Sequence, residues 1–247
     1  MRILAHLSDL HFGRIHPPVL EPLRRALAAI GPDLVVVSGD LTQRAKAGQF
    51  REARAFLDSL PFPRLVVPGN HDIPLYNVVK RFAAPLRDYR RIVSRELCPV
   101  FEDEEMVVVG LNTARSLVFK GGRIGEGQLG EVRAALEGAS ASKLKVLVTH
   151  HPFDEKLSRL GADLLLSGHL HEASVDFAAA AGEGTLAVQA GTTTSSRTRE
   201  TANSFNAVRA TATRIEVETH RWSNGGFERV EVLVFHRAAG RWRREQG

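Results

Sequence analysis

The chain has 247 residues, of which 43% are hydrophobic and 25% charged, and its formal net charge is +5. This balance is ordinary for a soluble globular protein. No apolar run approaches the roughly 18 residues that a membrane helix needs, and the N-terminus lacks the apolar core and cleavage site of a signal peptide. Cys98 is the only cysteine, which excludes an intrachain disulfide. We therefore expect a cytoplasmic protein without stable membrane insertion.

Short apolar runs in the first two thirds predict buried strands at 3–7, 34–37, 64–67, 106–111, 145–148 and 163–166. Between them, apolar residues recur with a period close to 3.6 and predict helices at 19–30, 49–60 and 127–138. Continuously apolar strands that alternate with helices are typical of a layered α/β fold.

The C-terminal third has a different pattern. Residues 185–191, 204–222 and 227–237 alternate apolar and polar positions and predict antiparallel strands, with a hairpin turn at Asn224 and Gly225. His220 and His236 are expected at the surface of these strands. A helical excursion is predicted at about 74–100. Because no linker or repeat interrupts the chain, residues 1–247 predict a single domain.

Polar side chains follow five of the apolar runs, where the predicted strands end. They are Asp9, His11, Asp40, Asn70, His71, Asp72, His150, His151, His169 and His171. The carboxyl ends of strands border the ligand crevice in open α/β sheets. These positions hold six of the ten histidines, so we expect them to form one site.

Carboxylate, amide oxygen and imidazole suit Mn, Fe, Zn, Co or Ni. Residues i and i+2 at a strand end point the same way, so Asp9 and His11 are expected to face one site, as are His169 and His171. Seven candidate ligands are too many for one tetrahedral ion. They suit two divalent ions that share a carboxylate and clamp a phosphoryl group. Residue types alone leave the choice between His150 and His151 open.

The ordered set DLH (9–11), GD (39–40), GNHD (69–72), THHP (149–152) and GHLH (168–171) resembles the calcineurin-like metallophosphoesterase superfamily. Residues 111–116, 121–129 and 190–206 look like its branch of class III cyclic nucleotide phosphodiesterases. The resemblance implies a four-layer α/β/β/α sandwich. Two mixed sheets are flanked by helices, and a dimetal site lies at the C-terminal ends of the strands.

The resemblance also implies roles for individual residues. One metal is held by Asp9, His11 and His171, the other by Asn70, His150 and His169, and Asp40 bridges them. His71 faces the leaving-group oxygen, and Asp72 orients His71. The implied reaction is attack of a metal-activated hydroxide on phosphorus. Weaker expectations for substrate contact fall on His16, His151 and Arg197.

The expected substrate is a small-molecule phosphodiester, either a cyclic nucleotide or a glycerophosphodiester. One alternative is a pyrophosphatase acting on a nucleotide-linked lipid precursor, but that branch carries Arg where this chain has His71. A nuclease is a further alternative; the basic charge favours it a little, and the short chain without a capping insertion counts against a nucleic-acid partner. A non-catalytic scaffold is the least favoured, because all seven ligand positions are filled. A homodimer stays open.

Overall fold

The computed structural model describes residues 1–116, 122–152, 157–178, 184–196 and 202–245. The strands in these ranges are β1 Arg2–Leu7, β2 Leu34–Ser38, β3 Arg64–Val67, β4 Val100–Glu102, β5 Met106–Gly110, β6 Leu144–Val148, β7 Leu164–Ser167, β8 Ser174–Phe177, β9 Leu186–Gln189, β10 Ser204–Ala210, β11 Arg214–Ser223, β12 Gly226–Ala238 and β13 Arg241–Arg244. The helices are α1 Leu20–Ile30, α2 Ala47–Asp58, α3 Val78–Ala83, α4 Arg87–Ile92 and α5 Glu126–Gly138.

The strands form two mixed sheets. The first has the order β13-β12-β11-β10-β1-β2-β3, and the second β4-β5-β6-β7-β9-β8. β1, β2 and β3 run parallel to one another, as do β5, β6, β7 and β9. Every predicted strand of the first two thirds is present, and the ends of these parallel strands carry the predicted polar residues.

Three apolar cores separate four layers. Alternate residues of the two sheets, such as Leu4, Val36, Val146 and Leu166, face one another in the central core. The opposite side chains of the first sheet pack under α1, α2 and α4, and those of the second pack under α5. This confirms the predicted α/β/β/α sandwich and explains the continuously apolar strands, which are covered on both faces.

The C-terminal third departs from the prediction in one strand. β10 to β13 form antiparallel pairs, and a turn with positive φ at Asn224 and Gly225 joins β11 to β12 as expected. β9, however, belongs to the second sheet, where it pairs parallel with β7 on one side and antiparallel with β8 on the other. The prediction of an antiparallel strand is therefore only partly right for β9. The alternation of apolar and polar residues along a strand indicates which face of the strand is buried. It does not indicate whether the neighbouring strand runs parallel or antiparallel.

The predicted excursion contains the two short helices α3 and α4 and returns to the sheet at β4. α4 packs on α2, and its Tyr89 is fully buried with its hydroxyl donating to the carbonyl of Val66 at 3.0 Å. Across the described residues, no helix is long and apolar enough to cross a membrane.

Candidate metal centre

The candidate ligands lie on five loops at the top of the two sheets, directly after β1, β2, β3, β6 and β7. Five of these residues have a left-handed backbone, with φ between 50° and 75°: Asp9, His11, Asp40, His169 and His171. Left-handed φ is uncommon outside glycine and marks positions that the surrounding structure over-determines. The candidate ligands thus lie past the strand ends. For these five residues, the side chains point into the site because of tight turns with positive φ, and strand alternation does not set their direction.

Asp9, His11 and His171 form the first ligand group. Asp9 Oδ1 lies 3.2 Å from His171 Nε2 and 3.5 Å from His11 Nε2, and the two imidazole nitrogens are 3.4 Å apart. Asp9 and His11 are fully buried. Asp9 Oδ1 accepts no hydrogen bond within the described part of the chain. Three lone-pair donors converging on one point with an unsatisfied carboxylate oxygen fit a cation.

Asn70, His150 and His169 form the second ligand group. Asn70 Oδ1 lies 3.0 Å from His150 Nε2 and 3.1 Å from His169 Nδ1. Asp40 joins the two groups through one oxygen: Oδ2 lies 3.4 Å from His150 Nε2 and 3.8 Å from His11 Nε2. The other carboxylate oxygen, Oδ1, accepts the backbone N–H of His71 at 2.8 Å. This leaves Oδ2 as the oxygen of Asp40 that faces both groups.

The two neighbouring histidines after β6 have different surroundings. His150 donates from Nδ1 to the carbonyl of Ser38 at 2.8 Å, which directs Nε2 to the space between Asp40 and Asn70. The Nδ1 of His151 bonds the hydroxyl of Thr113 at 2.7 Å, and its ring packs at 4.7 Å against that of His169. The geometry therefore favours His150 as the ligand between the groups, with His151 beside them.

His71 and Asp72 sit on a short turn, Asn70–Asp72, that leaves β3. His71 Nδ1 faces the carbonyl of Gln43 at 3.0 Å, and its ring contacts that of His11 edge-on at 4.9 Å. Asp72 accepts from the backbone N–H groups of Leu41, Thr42 and Gly69 and from the Thr42 hydroxyl.

These contacts revise the role that the sequence suggested for Asp72. Its hydrogen bonds tie the loop after β2 to the loop after β3, while the carbonyl of Gln43 sets the orientation of the His71 ring. Asp72 thus positions His71 through the backbone. Burial and the nearby charge of Asp40 raise the pKa of Asp72 to about 6.

Two motif glycines leave room for the aspartates. A Cβ on Gly69 would overlap Asp40 Oδ1, and a Cβ on Gly168 would overlap the hydroxyl of Ser8 and lie 2.7 Å from Asp9 Oδ2. Glycine is therefore required at both positions because the backbone passes so close to the side chains of Asp40, Ser8 and Asp9. The backbone conformation itself does not require it.

Several supporting residues escaped the sequence prediction. Ser8 donates to Asp9 Oδ2 at 2.7 Å, and the backbone N–H of His169 donates to the same oxygen at 3.0 Å. Ser38, Gln43 and Thr113 hold the rings of His150, His71 and His151. Ser38 and Thr113 lie close to the ends of predicted strands. Each bonds a histidine that comes from a different loop, and no residue spacing in the sequence predicts such a contact between separate loops.

Without a cation, the cluster balances its charges internally. Burial lowers the pKa of His150, but the charges of Asp40 and Asp9 and hydrogen bonds outweigh it and raise the value to about 9. Burial raises the pKa of Asp9, yet the close imidazoles of His11 and His171 and the charge of His150 bring it well below its usual range. A divalent cation would take the place of these imidazole protons, so metal uptake would release protons.

Of the remaining predicted site residues, His16 lies outside the two groups. His16 is half-buried, with its ring 6.3 Å from that of Trp222 and its backbone N–H bonded to the carbonyl of Thr194 at 2.7 Å. Arg197 lies outside the described residues.

A family model described as calcineurin-like phosphoesterase matches residues 2–173. That range is more than half of the chain and contains every candidate ligand, so the chain belongs to the calcineurin-like phosphoesterase family. The name of the family describes its members as phosphoesterases, and the clustered His and Asp side chains of this chain are candidate metal ligands.

Among curated proteins, the chain is similar to glycerophosphodiester phosphodiesterase GpdQ of Enterobacter lignolyticus, 34% identical over 86 residues, which are 28% of this chain and 29% of that protein. It is also similar to UDP-2,3-diacylglucosamine pyrophosphatase LpxG of Chlamydia muridarum, 33% identical over 76 residues, or 30% and 23% of the two chains. The chain matches less than a third of the length of either relative.

Among solved structures, a dimetal phosphatase from Danio rerio shares the fold, with a TM-score of 0.66 at 14% sequence identity. The likeness covers 94% of this chain and 98% of that one. At this identity the comparison supports the architecture of the two sheets and their flanking helices.

Proposed function

We propose that the protein is a dimetal phosphodiesterase, in which Asp9, His11 and His171 hold one divalent ion, Asn70, His150 and His169 hold the other, and Asp40 bridges them. The observation that carries the proposal is the position of Asp40 Oδ2 between the two ligand groups. Two bound divalent ions would supply Lewis-acid activation of the phosphoryl group and a nucleophilic hydroxide at neutral pH. Imidazole, carboxylate and amide donors fit Mn, Fe, Zn, Co or Ni.

The chain's own contribution to bond cleavage is assigned to His71. Two groups of Gln43 face Nδ1 of His71, the backbone carbonyl at 3.0 Å and the side-chain amide nitrogen at 3.4 Å. A backbone carbonyl only accepts hydrogen bonds, so the shorter contact assigns a proton to Nδ1. When the ring is protonated, Nε2 is the nitrogen that gives its proton to the departing alkoxide. The buried loops under the ring hold it beside His11 and Asp40 while the leaving group departs.

The favoured substrate class is a phosphodiester of the cyclic nucleotide or glycerophosphodiester type. The partial match to a glycerophosphodiester phosphodiesterase supports it, as does the presence of His71 after Asn70. The second candidate is hydrolysis of a pyrophosphate bond in a nucleotide-linked lipid precursor, which the partial match to a UDP-2,3-diacylglucosamine pyrophosphatase favours.

A leaving-group series tests the assignment of His71. His71→Gln should keep both metals, lose little rate on a diester of 4-nitrophenol, and lose about 10²- to 10⁴-fold on an alkyl diester. A good leaving group needs no proton, whereas an alkoxide does. Asp40→Asn is the comparison, because it should lose rate on both substrates.

Equal losses in His71→Gln on good and poor leaving groups would contradict the acid role. The wild-type protein, stripped and reloaded with manganese, should cleave the chromogenic diester faster than the matching monoester. If two ions bind and neither ester is cleaved, while a UDP-linked lipid pyrophosphate is, the second candidate replaces the first.

A further inference from the structure

The helix α3 has its amphipathic faces reversed. Its Arg81 points inward, is 5% exposed, and donates to the carbonyls of Ser116 at 2.7 Å and Pro74 at 3.2 Å. Val78, Val79 and Phe82 point outward and are 63%, 77% and 55% exposed. A helix on the surface of a soluble domain normally does the opposite.

Tyr76, just before α3, extends the apolar surface. It is 77% exposed, and the guanidinium of Arg44 lies 5.2 Å from the centre of its ring. We call Tyr76, Val78, Val79 and Phe82 the apolar patch. They include four of the nine large hydrophobic residues that are exposed in the described part of the chain. Such a concentration within seven residues marks a contact surface.

A cavity of about 630 Å³ adjoins the patch at Ala83. It is lined by residues of the excursion between 83 and 97, by Ile73, and by residues between 112 and 116. Its apolar lining includes Ile73, Leu86 and Leu97. Its charged lining is entirely positive and consists of Arg87, Arg90, Arg91, Arg95 and Arg115.

Few carboxylates balance this charge. Asp88 lies within 4 Å of Lys80, Arg87 and Arg91, so one acid is shared among three cations. Within the described residues, Arg90 and Arg95 make no ion pair, and Arg115 bonds only carbonyl and amide oxygens. The excursion therefore combines an exposed apolar patch with a positive cavity that a single carboxylate balances only in part.

We propose that the excursion docks on a membrane surface containing anionic phospholipids. The apolar patch would enter the boundary between headgroups and acyl chains, and the arginines of the cavity would bind lipid phosphates. Aromatic and aliphatic side chains beside clustered cations are the features that interfacial binding requires. A two-fold contact between copies of this chain would instead bring the same arginines against one another.

The proposal does not rest on the proposed function, because its test needs no turnover. The full chain would be sedimented with vesicles of phosphatidylglycerol and phosphatidylcholine, and with vesicles of phosphatidylcholine alone. We expect binding to the anionic vesicles that weakens with added salt. Arg90→Ala and Arg95→Ala should each reduce partitioning roughly fivefold, the equivalent of about 1 kcal/mol per cation near the surface.

The variant Val79→Ser/Phe82→Ser should lose binding to vesicles. Its matched control is Val230→Ser/Val232→Ser, which alters two exposed valines of β12 and should bind normally. Arg25→Ala/Arg51→Ala, on exposed positions of α1 and α2, is the control for charge. Because these side chains are exposed, all variants should keep the melting temperature of the wild type.

Unchanged vesicle binding in Val79→Ser/Phe82→Ser, or no binding of the wild type to anionic vesicles, would overturn the proposal. So would a concentration-dependent dimer in sedimentation velocity that this variant abolishes while vesicles capture nothing. That result would assign the apolar patch to a second copy of the chain.

Discussion

The residues of the metal centre are specified by close contacts that tolerate almost no added volume. Gly168 is the sharpest case, because the Ser8 hydroxyl and Asp9 Oδ2 occupy the space where a Cβ would lie. Gly168→Ala should therefore displace Asp9, lower metal content and destabilise the fold by about 1–3 kcal/mol. Metal analysis and denaturant unfolding of the purified variant would check both effects.

Gly130→Ala is the matched control. Gly130 lies within α5, and nothing is within 4 Å of the Cβ that the substitution adds. This change should leave metal content unaltered and stabilise the protein by about 0.5–1 kcal/mol, since alanine loses less backbone entropy in a helix. Normal metal content in Gly168→Ala would show that the loop adapts.

His6 should account for part of the loss of folding stability at low pH. It is fully buried inside β1, bonds Ser38 Oγ at 2.9 Å, and burial lowers its pKa from 6.5 to about 3. The unfolded chain therefore takes up a proton at this residue below pH 6.5, and the folded chain does not. The stability that His6 confers is complete above pH 6.5 and is lost as the pH falls toward 3.

The variant His6→Gln isolates this effect. Its free energy of unfolding, measured on metal-stripped protein, should depend less on pH between 6.5 and 3, by up to about 1.4 kcal/mol per pH unit. His236→Gln is the control, because that side chain is half exposed on β12. Parallel stability curves for wild type and His6→Gln would contradict the buried neutral state of His6.

At the scale of the elements, the strand–helix alternation predicted every parallel strand of the first sheet and the three long helices. The limits of that reasoning appear in β9 and β13. Three apolar residues followed by a glutamine could not show that β9 joins β7 in parallel. The alternating pattern predicted no strand after residue 237, yet Arg241–Arg244 forms β13 after a turn at Ala239 and Gly240, both with positive φ.

The indole of Trp242 makes β13 part of the central core. It is fully buried, with the guanidinium of Arg237 5.7 Å from its ring centre. Trp242→Ala should cost about 3–5 kcal/mol by creating a large cavity. Trp222→Ala, at a half-buried position, should cost less. Equal losses in the two variants, measured by denaturant unfolding, would place β13 outside the core.

His220 was expected at the surface of the C-terminal strands and is in fact 9% exposed. Its ring stacks on Phe205 at 4.9 Å, and its Nε2 lies 3.1 Å from Glu218 Oε2. The alternating pattern of β11 gave no sign of this, because His220 follows a register shift that exchanges the faces of the strand.

At the scale of the molecule, the site exists because two separate sheets end at the same place. β1, β2 and β3 deliver Asp9, His11, Asp40 and Asn70, while β6 and β7 deliver His150, His169 and His171. The sequence could predict this meeting point, since the Asp, Asn and His residues cluster directly after the carboxyl ends of five apolar strands. The reversed helix α3 could not be predicted, because its inward arginine is satisfied by two backbone carbonyls, that of Pro74 just before the helix and that of Ser116 on a separate loop.

The central claim is that Asp40 joins two metal ions, and manganese stoichiometry of the reloaded protein tests it most directly. The wild type and the control Asp58→Asn, an exposed carboxylate on α2, should each bind two ions per chain. Asp40→Asn should bind fewer than two, and its diester cleavage should fall by more than about 100-fold. One ion per chain in the wild type, or two ions with full activity in Asp40→Asn, would contradict the bridging assignment.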